Sequence, residues 1–250
     1  MLKKMFMALA LIVVLAGSAL AEGEKYVNGI DANFPPFAYV DKDGKPAGFD
    51  VESMDWIAAK MGFTVEHKPM DWDTIIPSLN TNKIDMVCSG MSITEARAEQ
   101  VNFSNPYWVM QPVVSVGANS DLTMDKVHSG KIKFGIQRGT SEADWLEKNK
   151  DANGWNMEIV YYDTQPLAIE DLLNGRIDAV GTDEAPAKDA IAHGKAIKTI
   201  GTFAEETKFG VAVRKSDTKL LEALNEGYKL LMADPYWQEL QNKYFKSSDQ

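Results

Sequence analysis

The densest group of chemically useful side chains runs Cys88-Ser89-Gly90-Met91-Ser92-Ile93-Thr94-Glu95-Ala96-Arg97. Gly90 permits close approach to the backbone. Thr94 has the type and position of an N-cap for a helix that carries Arg97. Free N–H groups at that helix start, the Ser92 hydroxyl and a guanidinium one turn on would suit a small carboxylate. The same spacing also describes a solvated arginine on an ordinary capped helix. Ser89, Gly90, Met91, Ser92 and Arg97 are therefore candidate ligand contacts.

A second loop reads Gln137-Arg138-Gly139-Thr140-Ser141-Glu142. A glycine after a buried strand, then Thr-Ser opening a helix, makes an anion-friendly N-terminus. The glycine spacing and Lys-Ser/Thr ending of a phosphate loop are missing. Gln137, Thr140 and Ser141 are candidates, although helix capping explains the loop on its own. Asp183, in Gly181-Thr182-Asp183-Glu184, is either an N-cap or a carboxylate for an ammonium. Opposite Arg97 it would complete a clamp for a zwitterion. In Asp31-Ala32-Asn33-Phe34-Pro35-Pro36-Phe37 the prolines stiffen the chain and could hold Phe34 and Phe37 outward as apolar walls. Both rings could instead fill the core, and Trp72 shares that ambiguity. Asp31 either faces a ligand or braces the turn at Asn33.

These residues need elements to position them. Strand-like runs are Tyr26 to Ile30, Thr64 to His67, Ile84 to Cys88, Val113 to Val116, Ile132 to Ile136, Met157 to Tyr161, Ile177 to Gly181, Ile197 to Ile200 and Phe209 to Val213. Between them lie helical patterns at 48–62, 72–79, 94–101, 140–149, 219–232 and 236–244. In the first, Val51, Met54, Ile57, Ala58 and Met61 share a face. Alternating strands and helices predict an α/β fold on mainly parallel sheets. One segment has an echo: Leu79-Asn80-Thr81-Asn82-Lys83-Ile84-Asp85-Met86-Val87 against Leu172-Leu173-Asn174-Gly175-Arg176-Ile177-Asp178-Ala179-Val180. It fits two units of similar build, each placing loops at the carboxyl ends of its strands, where open α/β sheets bind ligands.

Lys3 and Lys4, the apolar run to Ala19 and the small-x-small pattern Ala19-Leu20-Ala21 read as a cleaved signal peptide over residues 1–21. The single cysteine, Cys88, is far from that cut, so neither a lipid anchor nor an internal disulfide is expected. A freely diffusing exported protein places the chain in a periplasm. Cys88 itself reads as an inert core thiol. The formal net charge of −10 becomes −12 without Lys3 and Lys4, which argues against nucleic acid or an anionic membrane as partner. His67, His128 and His193 have no metal spacing, and no nucleophile triad is apparent, so no metal, cofactor or catalytic residue is expected.

Phe34-Pro35-Pro36-Phe37, Gly48-Phe49-Asp50-Val51-Glu52, Ser92-Ile93-Thr94 with Arg97, and Phe103-Ser104-Asn105-Pro106-Tyr107 resemble, in order and spacing, bacterial solute-binding protein family 3. The likeness extends through Arg138-Gly139-Thr140 to Asp234-Pro235-Tyr236-Trp237. It implies a two-lobed periplasmic binding protein fold of type II, each lobe a mainly parallel sheet flanked by helices, joined by a two-strand hinge. Lobe one would comprise residues 22–108 and 204–250, and lobe two residues 109–203. The implied function is capture of a free L-amino acid by hinge closure, with arginine, lysine, histidine or glutamine favoured, for an ABC transporter permease. Arg97, Ser92 and the Ser141 N–H would hold the α-carboxylate; Asp183 and the Gly90 carbonyl would hold the ammonium. Phe34 and Trp72 would flank the side chain, and Asp31 would meet its polar end. Gly90 stands where some members carry a hydroxyl. The chain is expected to be a monomer and not an enzyme. The alternative is a prephenate or arogenate dehydratase on the same scaffold.

Overall fold

The computed structural model describes residues 23–246, so the leader read over residues 1–21 lies outside the described residues. No helix among the described residues is long and apolar enough to cross a membrane. The apolar period after Gly48 forms the helix Phe49–Met61. Gly62 ends it at φ 79°, where its N–H reaches the Ala58 carbonyl. Val51, Met54, Ile57 and Ala58 are buried, and Met61 is partly so. Phe49 and Asp50 are buried as well, which the period alone does not predict.

Two five-stranded sheets share one plan. In the first, Thr64–Pro69, Lys25–Ile30 and Met86–Val87 run parallel, and Ala212–Val213 is antiparallel to Met86–Val87 and Asn102–Phe103. In the second, Glu158–Tyr162, Lys133–Gln137 and Ala179–Asp183 run parallel, followed by antiparallel Pro112–Gly117 and then Ile197–Thr202. The chain leaves the first sheet through Trp108–Met110 and returns through Thr207–Phe209, and these two stretches pair antiparallel. Each sheet has its own apolar core. One gathers Phe37, Phe49, Phe209 and Tyr228; another gathers Val114, Phe134, Ile136 and Phe203. This is the two-lobed α/β architecture expected from the sequence.

The repeated segment is a structural repeat. Asn82 (φ 60°) and Gly175 (φ 69°) supply the left-handed turn in the two copies. Lys83 N–H then bonds to Ser78 O at 2.9 Å, and Arg176 N–H to Asp171 O at 2.9 Å. Ile84 and Ile177 are buried. Asp85 Oδ2 accepts from Val27 N–H at 2.8 Å, and Asp178 Oδ2 from Lys133 N–H at 2.7 Å. Each aspartate thus clips the middle one of the three parallel strands of its sheet.

Several elements are shorter than their sequence patterns. The helix predicted from Thr94 to Val101 is only Glu95–Ala98, although Thr94 does cap it by accepting from Arg97 N–H. The run Ile84 to Cys88 contributes a strand only at Met86–Val87. Phe209 to Val213 is split, because Thr207–Phe209 belongs to the crossing ladder and Ala212–Val213 to the first sheet. The segment from Trp72 begins as a 3₁₀ turn before the helix Ile75–Asn80. Pro77 is tolerated there because the first-turn N–H groups have no intrahelical acceptor.

Candidate functional site

A cleft of about 290 Å³ lies between the carboxyl ends of the two sheets, and its walls come from both lobes. Arg97 is buried on one side. Its Nη1 donates to Ser92 O and its Nη2 to Gly139 O, each at 3.0 Å, and its guanidinium lies 5.4 Å from the Trp72 ring centre. It is not the solvated surface arginine that spacing also allowed. Burial pulls its pKa below the ordinary value, while the charges of Glu142, Asp144 and Asp183 oppose that pull.

Asp183 occupies the N-cap position of Glu184–Ala192 yet makes no capping hydrogen bond. Its Oδ1 is buried without a hydrogen-bond partner among the described residues. The side chain faces the cleft that Arg97 lines. Burial, and then the nearby Glu142 charge, push its carboxyl well above the usual range; Arg97 pulls the other way. Thr140 is a true helix cap: its Oγ1 accepts from Ala143 N–H at 3.1 Å and donates to Gln137 O at 2.8 Å. Ser141 is the first helical residue, so its N–H has no intrahelical acceptor.

Asp31 does brace the turn, accepting from Asn33 N–H at 3.0 Å, and its Oδ2 accepts from Gln137 Nε2 at 2.7 Å. Burial raises its pKa, and these hydrogen bonds work against the rise. Ser89 Oγ accepts from Asp31 N–H at 3.0 Å. Trp72 Nε1 donates to Gly139 O at 3.0 Å. The contacts Gln137–Asp31, Trp72–Gly139 and Arg97–Gly139 all bridge the two lobes, so the cleft is closed.

Of the sequence candidates, Asp31, Phe34, Trp72, Ser89, Gly90, Ser92, Arg97, Gln137, Thr140, Ser141 and Asp183 all line this cleft. Met91 does not. Its side chain is fully buried among Trp72, Ile75, Leu79 and Val101, on the core side of the loop. Phe37 is likewise core, packed on Phe49 and Phe209, so only Phe34 of that pair is a cleft wall. Glu142 lines the cleft and was missed. An acidic residue in a first helical turn reads as a partner for the helix dipole, which hides any second role.

Gly90 sits at φ +61°, and a Cβ there would lie 2.4 Å from Phe34 Cε1. The tight packing of the Phe34 ring explains why no hydroxyl side chain stands at this position. Gly90→Ala is expected to displace Phe34 and cost about 1–2 kcal/mol in backbone strain. The melting temperature should then fall by roughly 2–8 °C, with weaker ligand binding. An unchanged melt and affinity would contradict this account of the loop.

The family model for bacterial extracellular solute-binding proteins, family 3, matches residues 26–247. The chain belongs to this family. One member, the L-cystine-binding protein TcyJ of Escherichia coli (strain K12), is 31% identical over 220 residues, covering 87% of this chain and 81% of that protein. The L-arginine-binding protein of Pseudomonas aeruginosa is 31% identical over 250 residues, covering 95% and 96%. An ancestral arginine-binding protein bound to arginine superposes with a TM-score of 0.82 at 34% identity, covering 88% of this chain and 98% of that one. The family and these relatives are binding proteins.

Proposed function

We propose that this protein is a periplasmic receptor that captures a free L-amino acid by closure of its two lobes and presents it to an ABC transporter permease. The observation that carries this reading is the pairing of Arg97 and Asp183 across one closed cleft. A buried guanidinium with neighbouring N–H groups suits an α-carboxylate, and a buried carboxylate with an unpartnered oxygen suits an α-ammonium. The leader pattern over residues 1–21 supports export, and the named ligands of the relatives support an amino acid as cargo.

Residues 22–108 with 204–250, and residues 109–203, move as the two bodies about the paired strands Trp108–Met110 and Thr207–Phe209. The ligand docks on lobe one at Arg97, and lobe two then brings Ser141 and Asp183 onto it. Phe34 and Trp72 form the apolar walls for its side chain. Asp31 can meet a polar or cationic end, which favours arginine, lysine, histidine or glutamine. Charge-assisted bonds in such a cleft contribute about 1.5–3 kcal/mol each.

The test is a thermal-shift screen of the protein amino acids with the mature protein, since a ligand that binds only the folded state raises its melting point. At least one polar or cationic amino acid should shift the melt by several degrees. No shift with any of them would overturn the reading. Incubation with prephenate distinguishes the dehydratase alternative, because formation of phenylpyruvate would mark an enzyme.

A further inference from the structure

Asn28 lies on the strand Lys25–Ile30, just ahead of the cleft residue Asp31, and is fully buried. Its register partner on the edge strand Thr64–Pro69 is His67. Asn28 Oδ1 accepts from Cys88 N–H at 2.7 Å. Its Nδ2 donates to Cys88 O at 3.2 Å and lies 3.0 Å from His67 Nδ1. His67 Nε2 is 3.1 Å from Asp55 Oδ1, on the helix Phe49–Met61. The His67 side chain is 7% exposed and that of Asp55 57%. A line of hydrogen bonds thus runs from a surface carboxylate, through a buried ring and a buried amide, to the backbone at the root of loop 88–92. Ser89, Gly90 and Ser92 of that loop line the cleft.

One fixed point sets the protons along this line. Cys88 N–H can only donate, so the Asn28 oxygen faces it and the Asn28 amino group faces both Cys88 O and the ring. The ring nitrogen that meets the amino group must carry a lone pair, which puts the ring proton on Nε2, towards Asp55. A second ring proton would set N–H against N–H. Turning the Asn28 amide over would relieve that clash, but it would set oxygen against Cys88 O and the amino group against Cys88 N–H. Both bonds to the loop would be lost for one gained.

We propose that Asn28 and His67 are positioning residues for the ligand: the Asn28 amide holds the root of loop 88–92, and it does so only while His67 offers a bare Nδ1. This rests on the amino-acid-receptor reading. The arrangement that organises the loop excludes a second proton from the ring. Ligand affinity therefore falls as pH drops through the ordinary histidine value of about 6.5, by up to about tenfold per pH unit. Of the charged groups on the packed helix, only Asp55 bonds to the ring: Asp50 turns to Gly90, Glu52 to Lys243 and Tyr244, and Lys60 to the Trp56 ring. Glu66 and Lys68 alternate to the other face of the strand, where Glu66 pairs with Lys25 of the neighbouring strand. The strand Pro46–Ala47 brings no titratable side chain. Asp50 also anchors the loop and titrates near the same pH, so the His67 contribution is read as a difference between variants.

The experiment titrates L-arginine and L-glutamine into the mature protein by calorimetry at about pH 8 and about pH 5.5. His67→Gln supplies an acceptor that does not titrate, so its affinity should fall clearly less on acidification than that of the unaltered protein. His128→Gln, in lobe two against Trp155, should keep the whole fall. Asn28→Leu should bind more weakly at pH 8 and show only the fall seen in His67→Gln. Nitrogen NMR of the imidazoles should place the His67 proton on Nε2 at pH 8. An equal fall in His67→Gln and the unaltered protein, or a proton on Nδ1, overturns the proposal and leaves the receptor reading intact. If Asn28→Leu gives no cooperative melt, the His67→Gln comparison decides alone. Failure of the unaltered protein to bind either probe at pH 8 overturns both.

Discussion

Arg97→Ala is expected to weaken amino-acid binding on the order of a thousandfold, measured by calorimetry. Breaking a buried charge pair by removing one partner costs about 3–5 kcal/mol, and each 1.4 kcal/mol is tenfold in affinity. Three features put Arg97 at that upper range. It is buried, it is the one cation lining the cleft among the described residues, and its fork is oriented by Ser92 O, Gly139 O and the Trp72 ring. Arg97→Lys keeps the charge but loses the planar fork, so it should recover only part of the affinity. Unchanged affinity in Arg97→Ala, with a cooperative melt to show that the variant folds, would remove Arg97 from the carboxylate site.

The second large effect is on stability, and it is set by pH. Asp50 lies in the first turn of Phe49–Met61, fully buried behind Gly90. Its Oδ2 accepts from Gly90 N–H at 2.6 Å and Tyr107 hydroxyl at 2.7 Å, while Oδ1 has no partner among the described residues. Tyr228 stacks on Tyr107, and its hydroxyl lies 3.2 Å from Cys88 Sγ. Burial pushes the Asp50 carboxyl up from 3.8 to about 7, against the pull of its two hydrogen bonds. A raised acid binds its proton more tightly in the folded chain than in the unfolded one. Its contribution to stability is therefore full at low pH and declines as pH rises towards 7, by an amount on the order of 4 kcal/mol. Asp50→Asn keeps an acceptor for Gly90 and Tyr107 and has no charge to desolvate. Denaturant melts at about pH 5 and about pH 8 should show a smaller loss of stability in this variant than in the unaltered protein. Equal losses would show that Asp50 does not titrate in this window. Asp50→Ala instead orphans two buried donors and should destabilise at every pH, by about 1–3 kcal/mol for each.

What the sequence revealed and what it hid divide along physical lines. Periodicity marked the strands and the helix Phe49–Met61, because burial of one face leaves a regular trace. The repeated Ile-Asp turn marked two lobes of one plan, because each copy needs the same left-handed residue and the same clip. Residue types alone could not decide whether Asp183 caps a helix or faces a ligand. That depends on where its side chain turns: it makes no cap bond and lines the cleft. Alternation along the loop from Ser89 to Ser92 was equally silent on Met91, which points inward while Ser89 and Ser92 line the cleft. Asp50 and Glu142 stand in the first turns of their helices, where acids are common. Only packing from distant segments makes one a buried, uncompensated group and the other a cleft wall.

The Gly139 carbonyl has a consequence for how the lobes move. One oxygen on lobe two accepts from Trp72 and Arg97 on lobe one at 3.0 Å each. N–H···O bonds lie at about 2.7–3.2 Å, so an opening that carries Gly139 O beyond that range loses both donors together. A gap just past that range leaves the freed groups poorly reached by water, which makes the half-open form the least favourable one. With the lobe motion proposed above, the joint would act as a two-position catch. A membrane partner that senses the spacing of the lobes would receive a yes-or-no signal from it, not a graded one.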